Sequence, residues 1–305
     1  MTWLAWRQLR AQAATAAAMT IGVLIALAAS RGHVGGVYAP DGSGELTGVY
    51  VWLRLTGTAL VGVPAAIGAF WGAPMIAGEI EAGTQRLVWT QSITRGRWLL
   101  VKLLLTAAVT VVVVGMFTAA VTWWSAPIDA TASRISPASF AQRGIVPVGY
   151  ALFALAAGAL LGAITRRTLP AMAAILLTFF TVRLAVQKVL RPHLLHPSIV
   201  TADPFGPGPQ GGWTLASRTV DASGRTVPTH ALESRLVDAC HISRAAPDPN
   251  AALAACAHQL GMHNLTTAYP ASAFWRLQTC ELSVFLALTG VAVAGTHWWI
   301  QHRIS

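Results

Sequence analysis

The stretch GEIEAGTQRLVWTQSITRGRWLLVK, Gly78–Lys102, decides how the rest of the chain is read. It crowds two acids (Glu79, Glu81), four bases (Arg86, Arg95, Arg97, Lys102), two tryptophans (Trp89, Trp98) and the polar run Thr90–Ser92 between two long oily segments. Elsewhere charge is scarce. Of 305 residues 10% are charged and 54% hydrophobic, about half or less of the charge of an average globular domain. A polar, basic segment between apolar runs reads as a loop on one face of a bilayer. The expected fold is therefore one polytopic, all-α integral membrane domain over residues 1–305 rather than two soluble domains.

Working outward from that loop, six windows are long enough to cross about 30 Å of hydrocarbon. They are Ala11–Ser30, Gly57–Ala77, Leu99–Trp123, Ile145–Ile164, Leu169–Gln187 and Glu281–Ile300. The first runs straight on into further spans, so it reads as a span and not as a cleaved signal peptide. Bases crowd the short connections on one side: Arg7 and Arg10, then Arg86, Arg95, Arg97 and Lys102, then Arg166 and Arg167, then Arg303. The bias of lysine and arginine toward short inner loops makes that side cytoplasmic, with both termini inside and the chain multi-pass in the cell membrane. The stretch MTWLAWRQLR, residues 1–10, has Trp3 and Trp6 about a turn apart beside Arg7 and Arg10, which suits a helix lying in the membrane interface.

The net charge of +10 raises nucleic acid as a partner, because basic chains bind phosphate backbones. These bases are scattered through loops and form no stripe with interleaved aromatics, and attraction to anionic lipid headgroups is the simpler account. Outside, the connection Arg191–Cys280 is about ninety residues long, too long for a bare linker, and reads as a folded extracytoplasmic cap. Ala231–Ala239 and Asn250–Leu260 have helix-compatible composition. Cys240 and Cys256 fall there, on the oxidising side, where a bridge would staple the two short helices; two buried thiols are the alternative.

Enzyme signatures are thin. A nucleotide-binding P-loop needs a Gly-Lys pair, and the chain's two lysines, Lys102 and Lys188, follow Val101 and Gln187. Gly206, Gly208 and Gly211 match a dinucleotide fingerprint by spacing only, with prolines between them in a loop. Histidines 193, 196, 230, 241, 258 and 263 lie outside; metal sites favour two ligands on one helical face plus a third, whereas His258 and His263 are five apart and His230 with Glu233 is a lone pair, so solvated or hydrogen-bonded histidines are the simpler reading. Asn264-Leu-Thr266 is a glycosylation sequon by pattern. Ala154, Gly158 and Gly162 recur every four residues, which allows another helix to come close. Arg183 and Glu281, ionisable groups at membrane depth or its edge, are candidate pathway or gating residues.

The run Glu79-Ile-Glu81-Ala-Gly83-Thr84, with Leu87, Trp89-Thr90-Gln91-Ser92, Thr94-Arg95 and Lys102, resembles the cytoplasmic loop of ABC transporter permeases of the type-2 exporter kind. Tyr269-Pro-Ala-Ser272-Ala-Phe-Trp275 is similar to the segment before the last span in an actinobacterial-type subgroup of them. The resemblance implies a six-span permease that dimerises with a second permease copy and docks a separate ATP-binding subunit carrying ATP and Mg. Residues 78–98 would be the coupling loop, with Glu79, Glu81, Gly83, Thr84, Arg86, Leu87, Trp89, Thr90, Gln91 and Ser92 its working residues. No catalytic residue, metal or cofactor is expected in this chain. Two other readings stand beside the exporter: a membrane sensor with a ligand-binding cap, and a metal-dependent membrane hydrolase.

Overall fold

The structure, a computed structural model, describes residues 20–31, 62–83, 94–126, 137–202, 212–241 and 249–303, with positions 14, 18, 135 and 204 standing alone. In chain order the elements are α1 (Thr20–Arg31), α2 (Gly62–Glu81), α3 (Arg95–Ser125), α4 (Val146–Thr165), α5 (Thr168–Ala185), β1 (Ser198–Ala202), β2 (Trp213–Val220), β3 (Thr226–Val227), α6 (Thr229–Cys240), α7 (Pro249–Gln259), β4 (His263–Tyr269) and α8 (Phe274–Arg303). A short helical turn at Pro137–Phe140 precedes α4. Five helices among the described residues, α2 to α5 and α8, are long and apolar enough to cross a membrane. α1 covers only part of the expected first span, whose earlier positions lie largely outside the described residues, as do residues 1–10.

Helix ends follow local chemistry. Gly83, at φ 65°, takes the left-handed conformation that closes α2, and the Thr94 hydroxyl accepts from the Arg97 N–H at the start of α3. α5 runs longer than expected: past Ala185 it continues through a π-helical turn, Val186–Leu190, and a 3₁₀ turn, Arg191–His193. α8 starts earlier than expected, which places Glu281 about two turns inside the helix instead of at its mouth.

The chain divides into two compact units, one of membrane helices and one formed by Leu195–Phe274 with Thr131–Pro137. In the membrane unit the small-residue stripe of α4 lies on α2. A Cβ at Gly158 would stand 2.5 Å from the Gly68 carbonyl oxygen, one at Gly162 2.5 Å from that of Ala73, and one at Gly72 2.5 Å from that of Leu155. Backbones touch here because no side chain intervenes. Gly158→Ala is expected to push the helices apart and destabilise the unit by about 1–3 kcal/mol. Gly115→Ala, with nothing within 4 Å of the added carbon, is expected to be neutral or slightly stabilising, and the unfolding midpoints of the two purified variants make the comparison. At the far end of α3 the Arg31 guanidinium lies 3.7 Å from the Trp123 ring centroid and donates to the Trp123 carbonyl at 2.9 Å, which ties α1 to α3.

The second unit contains a four-stranded antiparallel sheet of order β1-β4-β2-β3, which the sequence reading did not anticipate. Its registers pair Ser198 with Ala268 and Val220 with His263, and β4 sits between β1 and β2. The β2–β3 turn is closed by Asp221, whose carboxylate accepts from the backbone N–H groups of Ser223 and Arg225 and from the Ser223 hydroxyl. These bonds hold its carboxyl below the usual range. α6 and α7 fall where composition placed helices, and Cys240 and Cys256 are joined in a disulfide with Cα atoms 6.1 Å apart. Leu232, Leu236, Leu253 and Ala257 pack around it. Asn264 accepts from the Thr219 hydroxyl at 2.6 Å and donates to the Pro204 carbonyl at 3.4 Å, inside the sheet. The asparagine of the sequon is thus engaged within the sheet.

Candidate functional site: paired charges at both ends of the membrane helices

At the end of α2 that leads into loop 84–93, the buried Lys102 ammonium donates to the Met75 carbonyl at 2.9 Å and to the Glu79 carboxylate, and lies 5.3 Å from the Trp98 ring centroid. The Glu81 carboxylate accepts from the hydroxyl of Thr168, the first residue of α5. Two acids that the sequence singled out thus tie α2 to α3 and α5. Gly83 closes the helix; Thr84, Arg86, Leu87, Trp89, Thr90, Gln91 and Ser92 lie outside the described residues. At the same end Arg166, at φ 57°, turns the chain sharply from α4 into α5 and donates to the Arg303 carbonyl at 2.7 Å. Arg97, Lys102, Arg166, Arg167 and Arg303 therefore gather at one end of the helices.

The opposite end holds a second cluster, formed by Tyr150 of α4, Arg183 of α5, Arg191 of its 3₁₀ extension, and Gln278 and Glu281 of α8. Arg191 and Glu281 form a buried fork, with Nε to Oε2 at 2.7 Å and Nη2 to Oε1 at 2.8 Å, both side chains 1% exposed. Such two-pronged pairing is what a guanidinium and a carboxylate achieve best. The Tyr150 hydroxyl donates to Glu281 and accepts from Arg191 Nη2 at 3.2 Å. Arg183 lies over the Tyr150 ring at 4.8 Å, and Arg191 over that of Phe140 at 4.5 Å.

Gln278, wholly buried, completes the arrangement. Its Oε1 accepts from the N–H groups of Ile145 and Val146 at 3.0 Å, which supplies the cap that the start of α4 lacks from its own residues. Its Nε2 donates to the carbonyls of Phe140 and Arg143 at 3.1 and 3.0 Å. All four hydrogen-bonding positions of the amide are thus in use. The close approach depends on Gly144, at φ 71°, where a Cβ would lie 2.7 Å from Gln278 Oε1.

Arg183 and Glu281, named separately from sequence, are brought into one cluster. Tyr150, Arg191 and Gln278 were missed. Arg191 was read as the first residue of the external connection; instead it is buried. The available signal was energetic: a carboxylate placed inside an apolar helix needs a cation, and Arg191 is a cation at the matching end of a span. Of the other candidates, the described residues hold no group of three or more histidine, cysteine, aspartate or glutamate side chains able to bind a metal. Gly206, Gly208 and Gly211 lie outside the described residues. Cys280 is a free thiol.

No curated protein and no solved structure matches the chain. Residues 41–191, which take in α2 to α5 and the loop between α2 and α3, match the family model described as ABC-2 membrane transporter related. With five apolar helices among the described residues long enough to cross a bilayer, that match supports an ABC-2 type permease, and the chain is a membrane protein.

Proposed function

We propose that this chain is the membrane-spanning subunit of an ATP-driven exporter, working with a second permease copy. A separate ATP-binding subunit, which carries ATP and Mg, docks under loop 84–92. The observation that carries this reading is the family match across residues 41–191, which contains the loop and both helices that flank it. The gathering of bases at the loop end favours a cytoplasmic position for that end, with both termini inside the cell membrane.

The geometry supports a route for force. A push on the loop reaches α2 and α3 together, because Lys102 clamps Glu79 and the Met75 carbonyl across the two helices. It reaches α4 through the glycine contact, where backbones touch and little can give. It reaches α5 through Glu81 and Thr168. At the opposite end α4, α5 and α8 meet in the Tyr150–Arg191–Glu281 cluster. Packed helices with a polar lock at one end and a lever at the other can switch between discrete arrangements.

Scrambling residues 84–92 while keeping their composition tests the reading. The expected result is a chain that still inserts and folds but loses its co-purifying ATP-binding protein and ATP-dependent transport in reconstituted vesicles. Undiminished ATP-dependent transport by the scrambled chain would refute the coupling role of the loop.

A further inference from the structure

The charges of the Tyr150 cluster do not balance. Glu281 spends both oxygens on Arg191 and Tyr150. Among the described residues Arg183, 6% exposed, has no ion pair, and its Nη1 is buried without a hydrogen-bond partner. A guanidinium near the end of a span ordinarily reaches outward to the headgroup layer. This one is folded inward over an aromatic ring, next to a second guanidinium, and the cluster carries one positive charge more than negative. A desolvated, half-used guanidinium of this kind is costly unless an anion completes it.

The surroundings say from where an anion would come. Along α5, Ile175, Phe179 and Val186 are buried on one side of Arg183, while Leu176, Phe180 and Leu184 are exposed on the other. Leu176 and Phe180 stand seven and three residues before Arg183, on the same edge of the helix. Arg183 thus sits on the seam between the packed face and an apolar face open to lipid. We infer that Arg183 binds the anionic headgroup, phosphate or carboxylate, of a membrane amphiphile whose tail lies along the Leu176–Phe180 edge of α5. The planar fork of arginine suits a phosphate or carboxylate oxygen pair, and the apolar edge supplies what a free inorganic ion would not use. Such an amphiphile is either a bound lipid or the cargo; the recognition chemistry is the same.

Binding can be read without any ATP-binding subunit, so failure here leaves the exporter reading intact. The purified full chain in phosphatidylcholine nanodiscs is titrated with dodecyl phosphate, with inorganic phosphate and with uncharged dodecyl glucoside, and the unfolding midpoint is followed. Dodecyl phosphate is expected to raise the midpoint saturably by about 2 °C or more, and the other two to leave it unchanged. In Arg183→Gln the response to dodecyl phosphate, read against that variant's own midpoint without probe, is expected to vanish. Arg183→Lys, which keeps the charge and loses the fork, is expected to need about tenfold more dodecyl phosphate for the same shift. No shift with dodecyl phosphate, an equal shift in Arg183→Gln, or the same shift with dodecyl glucoside would overturn the proposal. An equal shift with inorganic phosphate would overturn the amphiphile and leave a small-anion site. Once binding holds, transport of a labelled dodecyl phosphate by reconstituted vesicles separates cargo from resident lipid.

Discussion

Glu281→Ala is expected to destabilise the membrane unit by about 3–5 kcal/mol, because it leaves the Arg191 guanidinium 1% exposed and without its carboxylate. The penalty comes from the stranded charge more than from the lost attraction. Replacing both partners, Glu281→Leu with Arg191→Met, is therefore expected to recover much of the loss, since a buried ion pair exchanged for apolar groups of similar size is often neutral. Denaturant unfolding of the purified single and double variants checks this. If the double variant is as unstable as the single one, the pair is not what holds the ends of α4, α5 and α8. The same lock would then be sought in Gln278, whose four bonds join α8 to the start of α4.

The second large effect belongs to the cap. Cys240 and Cys256 are separated by 16 residues in sequence, and a crosslink closing a loop of that size removes chain entropy from the unfolded state worth about 3 kcal/mol. Changing both cysteines to alanine is expected to loosen α6 and α7 by up to about that amount. Cys256 lies in the core with Leu232, Leu236 and Leu253, so an additional packing loss follows. The readout is local: amide exchange in 229–259 is expected to accelerate on removal of the bridge, while exchange in α4 and α8 stays as it was. Equal acceleration in both regions would mean that the two units unfold as one.

The sequence disclosed most where the physics of a bilayer leaves little choice. A chain crossing hydrocarbon must bury every backbone polar group in helices, so long apolar runs marked α2 to α5 to within a few residues, and marked α8 although it starts about two turns before the expected span. The stripe Ala154-Gly158-Gly162 was legible as a close-packing face because only small residues permit backbone contact. The helices of the cap showed in composition. Its sheet did not: β1 and β4 are short, Thr-rich and without clean alternation, and their pairing is between residues some sixty to seventy apart. Nothing local in a sequence announces a partner at that distance. Arg191 was misplaced for a related reason. A charge followed by proline looks like a loop until the carboxylate across the bundle is known, and that carboxylate lies ninety residues further on.

The pairing of β1 with β4 has a consequence for the two ends of the second unit. The first strand after the membrane helices and the last strand before α8 are hydrogen-bonded neighbours, Ser198 opposite Ala268, and the Tyr269 hydroxyl donates to the Leu195 carbonyl at 2.7 Å. Entry and exit therefore stand side by side, with backbones about 5 Å apart as in any antiparallel pair. Such a segment has both ends sewn together. It can be exchanged between permeases, shortened to a turn or swapped for another domain at the Ser198–Ala268 rung, and selection can reshape it without disturbing the helices that anchor it.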